Sequence, residues 1–222
     1  MEQSRISHTW NSIVIRLLLL CGVASSILYA ASEIMASMRW EGYDWTARMV
    51  SDLLAASAPT RSFIIGPMIA YNVLILGFSV GVWLRRWNRA IGVAGILLLV
   101  YAVVSMLGLL LFPLDYDAEG AGATMHMAVT FGLIILMFLF IGFAAAGSGQ
   151  AFRIYSIVTV FLILGGAALS GMQIPRIEAG LPTPGLGLFE RLNIYAMLLW
   201  VALFAITLWP GDQVAVDTHG AD

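Results

Sequence analysis

A few polar side chains in this chain could do chemistry, and His126 is the first of them. It is the single histidine outside the two polar ends. Thr124 stands just before it as an N-cap for a helix, and a helix N-terminus disfavours imidazolium, so the ring is expected to be neutral. A neutral imidazole can accept a proton or bind a metal. Asp52 and Glu190 supply carboxylates that could share acid–base work with His126, and these three are the candidate catalytic residues. Ser51, beside Asp52, could act as a nucleophile with His126 as its base, but no Gly-x-Ser-x-Gly elbow surrounds it. Arg61, Asp115, Arg191 and Ser51 are the candidate ligand-binding residues. Arg191 needs an acidic partner unless it reaches the surface, and Glu33, Asp52 and Glu190 are the candidates. Ion pairing that only holds helices together is the simpler reading of these carboxylates. Catalytic zinc takes three protein ligands, mostly His or Cys, and one membrane histidine with the distant Cys21 does not provide them. No metal and no cofactor is expected.

The elements that must position these groups are membrane spans. The 222 residues are 60% hydrophobic and 11% charged, with mean hydropathy +0.91. A soluble domain carries about 25% charged residues. Six apolar stretches, near 13–36, 62–84, 90–112, 125–147, 154–174 and 190–209, are each long enough to cross a bilayer. The first, from Ile13 to about Ala36, exceeds the usual apolar core of a signal peptide and is read as a retained span. The expected fold is all-α: a polytopic membrane bundle of six helices in three hairpins, with polar ends at 1–12 and 211–222 around a membrane domain at 13–210. A net charge of −2 offers no basic stripe for nucleic acid. There is no lysine, which excludes a lysine nucleophile or Schiff base, and a single cysteine excludes an internal disulfide.

Arg85, Arg86 and Arg89 share one very short loop, whereas Glu33, Glu41, Asp44, Asp52, Asp115, Asp117, Glu119, Glu178 and Glu190 gather at the other side. The arginine cluster places both termini in the cytoplasm of a multi-pass inner-membrane protein. On the acidic side, Asp44 is a suitable cap before Trp45, Met49 and Leu53, which recur at i, i+4 and i+8. That pattern predicts a short amphipathic helix over 44–56 lying in the outer interface, anchored by Trp40, Tyr43 and Trp45.

The stretch Gly42-Tyr43-Asp44, then Ser51-Asp52-Leu53-Leu54-Ala55 and Ala58-Pro59-Thr60-Arg61, resembles the opening signature of the multi-pass membrane family catalogued as domain of unknown function 998. Phe112-Pro113-Leu114-Asp115 followed by His126, and Gly187-Leu188-Phe189-Glu190-Arg191 at the head of the last span, resemble it too. The resemblance runs over about residues 13 to 210 and implies a bacterial or archaeal membrane protein without an established activity. Independently of it, the informative polar residues sit at one end of their spans, while the middle of the membrane is nearly free of charge, unlike an ion-coupled transporter. The leading expectation is binding of, or action on, a lipid or small amphipathic molecule in an outward-facing polar pocket. Whether there is catalysis stays open. The alternative is a non-enzymatic transporter subunit, sensor or scaffold packed against partner helices. The expected partners are membrane lipids, with a homo-oligomer among the options.

Overall fold

A computed structural model describes residues 2–114 and 121–209, with side chains from residue 12 onward except those of 121–123 and 178. Its long helices are α1 (Glu2–Arg39), α2 (Arg61–Arg85), α3 (Arg89–Leu111), α4 (Ala121–Gly147), α5 (Gln150–Gly171) and α7 (Leu186–Thr207). A short helix α6 (Ile174–Glu178) sits between α5 and α7, and one 3-10 helix spans Ser51–Leu54. No strand occurs among the described residues. Among the described residues, six segments are long and apolar enough to cross a membrane: Ser12–Arg39, Arg61–Arg85, Arg89–Leu111, Thr124–Gly147, Gln150–Ile177 and Leu186–Thr207. The all-α, multi-pass architecture expected from the hydropathy is therefore present.

Each helix packs on its neighbour in sequence, α1 on α2, α2 on α3, α3 on α4, α4 on α5 and α5 on α7. Because α7 also packs on α1, the six spans close into a ring. Lipid tails are as apolar as leucine, so burial alone does not hold such a ring together; close packing and hydrogen bonds must. Trp200 fills its centre, with Phe204 at 4.8 Å, Phe140 at 5.5 Å and Phe152 at 5.6 Å between ring centroids. The indole N–H of Trp200 donates to Ser156 Oγ at 2.9 Å, which satisfies the one polar atom that this large side chain brings inside. Gly81 lets α2 approach the α1 backbone: a Cβ there would stand 2.9 Å from Leu18 Cβ and 3.1 Å from the Leu18 carbonyl carbon.

At the end carrying the short arginine loop, polar side chains finish the helices. Asn88 Oδ1 accepts from the Ile91 N–H at 2.9 Å and so caps α3. Trp87 Nε1 and Asn88 Nδ2 donate to the Gly147 carbonyl at the end of α4, Arg153 Nε donates to the Ala145 carbonyl, and Arg85 Nε to that of Leu208. The last turn of a helix leaves carbonyls without internal partners, and these donors meet some of them.

At the acidic end, residues 41–60 differ from the expected amphipathic helix. The segment is a succession of turns with the single 3-10 turn at Ser51–Leu54. Asp44 does cap, but it caps a turn: its carboxylate accepts from the Thr46 N–H at 2.9 Å and the Thr46 hydroxyl at 2.7 Å. Those bonds hold its carboxyl below the usual carboxylate range. Two backbone groups that a helix would pair with each other, the Thr46 carbonyl and the Val50 N–H, are taken by α7 instead. The Thr46 carbonyl accepts from the Leu188 N–H at 3.2 Å, and the Val50 N–H donates to the Glu190 carboxylate. Of the expected inward stripe, Leu53 is fully buried, Met49 is half-buried and Trp45 is exposed.

Candidate functional site

The loop 41–60 and the head of α7 are built around Arg191, which is 2% exposed. Its Nη2 donates to Glu33 Oε1 at 2.6 Å and to the Tyr43 hydroxyl at 2.9 Å, and its Nε also reaches Glu33 Oε1, at 3.1 Å. Nη1 faces three carbonyls, Trp45 at 2.7 Å, Arg48 at 3.0 Å and Gly187 at 3.1 Å. The guanidinium also lies over the Trp45 ring, 4.3 Å from its centroid. Glu33, 1% exposed, spends its other oxygen on the Tyr195 hydroxyl at 2.6 Å. Burial pushes the Tyr43 phenol up to about 12, so it keeps its proton and donates to the Met49 carbonyl at 2.6 Å. Arg191 therefore ties α1, the loop and α7 together with every N–H group engaged. Of the candidate partners, Glu33 is the one that it takes.

The network requires a glycine at 187. A Cβ there would overlap the Arg48 carbonyl oxygen and stand 2.7 Å from that of Trp45, the two atoms that receive Arg191 Nη1. The turn before α7 also uses Gly185 at φ +80°, a region that favours glycine.

The other candidates lie around this knot without forming one connected cluster among the described residues. Glu190 holds the Val50 N–H, with Ser51 and Asp52 facing the same carboxylate. Asp52 is buried and accepts from the Met49 N–H at 3.0 Å. Arg61 donates to the Leu54 carbonyl and so closes the loop onto the head of α2. His126 stands apart, with Nδ1 at 3.0 Å from the Phe112 carbonyl at the end of α3. A carbonyl can only accept, so Nδ1 carries the proton. Among the described residues Ser51 and His126 share no hydrogen bond, and no group of three or more His, Cys, Asp or Glu could hold a metal. Asp115 lies outside the described residues.

Burial along the inward faces of the helices is uneven. On α4, His126, Leu133, Met137, Phe140 and Ala144 fall on one line; the last three are buried, Phe140 and Ala144 completely, while Leu133 and His126 keep solvent-accessible surface. On α7, Phe204, Val201 and Met197 are buried, whereas Ile194 and Glu190 on the same line are only partly buried. Tyr29 is half-exposed on α1 between buried Ser26 and Glu33, with its ring edge-on to Tyr71 at 5.0 Å. The Tyr101 hydroxyl contacts Met197 Sδ at 3.5 Å just below. Along these lines burial is thus complete at the arginine-loop end and partial at the end that holds Glu190 and His126.

Tyr195 and the backbone carbonyls of Trp45 and Arg48 are the participants that sequence reasoning missed. The signal for Tyr195 was its place four residues after Arg191, on the same helix face, with a hydroxyl that an apolar span must satisfy. The carbonyls gave no signal, because every residue has one.

No curated protein and no solved structure matches the chain. The model of the family described as protein of unknown function (DUF998) matches residues 9–207, a range that takes in all six spans, the docked loop and the Arg191 knot, and the chain belongs to that family.

Proposed function

We propose that this membrane protein binds a lipid or other small amphipathic molecule in an outward-facing polar pocket at the acidic end of the bundle. The observation that carries the reading is the change from complete to partial burial along these lines of α4 and α7, with Glu190 and His126 among the partly exposed side chains at the acidic end. Glu190 and the free Nε2 of His126 would meet the polar part of the molecule. Tyr29, Leu133 and Ile194 would meet its apolar part. Arg191 and Glu33, fully engaged with each other and with the loop, would hold the rim in place.

The test is the lipid that stays with the protein through mild detergent extraction, identified by mass spectrometry. The wild type should retain about one molecule per chain. Glu190→Gln and His126→Ala should each lose it while melting within about 2 °C of wild type, the shift expected of substitutions at partly exposed positions. Retention by both variants, or loss accompanied by a collapse in thermal stability, would reject the pocket in favour of a lock between helix ends.

The arrangement of the spans as three hairpins with polar turns outside, and termini in the cytoplasm, belongs to the same proposal. The arginine loop at 85–89 supports it. Reporter fusions after Arg89 and after Glu119 should report opposite sides of the membrane, and a common side would refute the arrangement. A role as transporter subunit, sensor or scaffold beside partner helices is the second reading. It is favoured by the exposed Gly142 and Gly165, where an added Cβ would meet nothing within 4 Å, since small exposed residues let foreign helices approach.

A further inference from the structure

On the outside of the bundle, α4 and α5 meet along an apolar cleft. Gly142 and Ala145 of α4 form one wall and Ile157, Val160 and Phe161 of α5 the other, over Ser156. The single polar atom beneath it is engaged, since Ser156 Oγ accepts from the Trp200 indole. The cleft measures about 120 Å³. A site of roughly 150 Å³ holds a benzene ring, so this one is of the size of one aromatic side chain. Gly142 keeps its wall open: an added Cβ there would meet nothing within 4 Å.

A ring of that size stands on the same face. Phe161 is 69% exposed, although it belongs to the wall of the cleft. Two copies related by a two-fold axis along the membrane normal keep every residue at its own depth. A symmetric pair can therefore form only where a knob and the hole that receives it share one depth, and here they do. The surrounding face is broad. Ile154, Ile157 and Leu164 flank Phe161 on α5, and Phe131 and Ile135 share the outward face of α4 with Gly142; all are exposed. Six large side chains, each about half exposed, offer on the order of 600 Å², with the small residues Gly142, Gly165 and Ala168 still to be added. A stable pair buries about 800 Å² per partner. Apolar area by itself does not choose between lipid and protein in a bilayer, whereas a ring-sized hole beside a ring at the same depth favours a second copy.

We propose that the chain pairs in parallel with a second copy of itself across α4 and α5, each Phe161 entering the cleft of the other copy beside Gly142.

The experiment is cysteine cross-linking in native membranes, in a Cys21→Ser background. Serine can keep the bond that Cys21 makes to the Leu17 carbonyl. Two differently tagged copies are expressed together, one carrying Gly142→Cys and the other Phe161→Cys. Oxidation should give a product bearing both tags. Ile27→Cys, exposed on α1, paired with Phe161→Cys should give none. Single-molecule photobleaching in dilute liposomes then reads the strength of the pair. Phe161→Ala removes the knob and Gly142→Leu fills the hole, and each should weaken dimerisation about tenfold or more. Both should melt within about 2 °C of wild type, because the altered side chains face lipid. Ile27→Ala should change dimerisation less than about twofold, as expected of an exposed position elsewhere. His126→Ala should leave it unchanged, because this face is separate from the pocket inside the bundle. A wild type that bleaches in single steps would mean that lipid alone covers the face and would overturn the proposal. Cross-linking of the Ile27→Cys pair to the same extent, or wild-type dimerisation in both Phe161→Ala and Gly142→Leu, would overturn it too.

Discussion

Arg191→Met is expected to be the most damaging single change in this protein. It removes all five N–H donors at once, leaves Glu33 as an uncompensated anion that is 1% exposed, and strips the carbonyls of Trp45, Arg48 and Gly187 of a shared donor. Breaking a buried pair by removing one partner costs about 3–5 kcal/mol, mostly because a buried charge is stranded. In detergent the variant should melt on the order of 10 °C lower, or fail to emerge as a single species. The double variant Glu33→Gln with Arg191→Met should recover part of the loss, since it removes the stranded charge while Gln can still bond Tyr195. Arg191→Lys should fall between wild type and Met, because an ammonium keeps the charge but cannot serve Glu33, Tyr43 and three carbonyls from one planar group. A melting temperature for Arg191→Met within about 1 °C of wild type would show that the knot contributes little, against the burial argument.

Gly187→Ala should detach the loop without removing any bonding group. The new methyl carbon would overlap the Arg48 carbonyl oxygen and press on that of Trp45, and both are backbone atoms with no side-chain freedom to yield. The loop must lift from α7, at about 1–3 kcal/mol, the usual cost of forcing a carbon into a packed site. Hydrogen exchange reads the result directly. The amide of Val50, which donates to Glu190, and that of Leu188, which donates to the Thr46 carbonyl, should exchange about tenfold faster or more. Amides in the aromatic core around Trp200 should keep their protection. Unchanged exchange at Val50 and Leu188 would mean that the loop does not depend on close approach at residue 187.

These two expectations show where sequence reasoning reached its end. Glu33, Asp52, Glu190 and Arg191 were recognisable as groups that an apolar chain must account for, because a charge in a membrane span has few tolerable surroundings. Which carboxylate Arg191 would take was not recognisable. Glu190 lies next to it in the chain, yet neighbours in a helix point about 100° apart. The adjacent carboxylate therefore turns toward Val50, while Glu33, 158 residues away, meets the guanidinium. The loop failed as a helix for a related reason. The spacing of Trp45, Met49 and Leu53 is a sound helical pattern by itself, but it carries no information about a second set of hydrogen-bond partners at the head of α7.

By itself, then, the sequence determined the six spans, the all-α class, the crowding of acidic groups at one end and the family. Each follows from composition or spacing along the chain, where the cost of placing polar backbone or charge in hydrocarbon leaves few alternatives. Only the tertiary structure decided that the spans close into a ring through α1 and α7, that residues 41–60 fold into turns against α7, and that His126 bonds the end of α3 rather than joining the Arg191 knot. Those outcomes rest on contacts between groups far apart in the chain and on backbone carbonyls that are alike at every residue, so geometry alone can select among them.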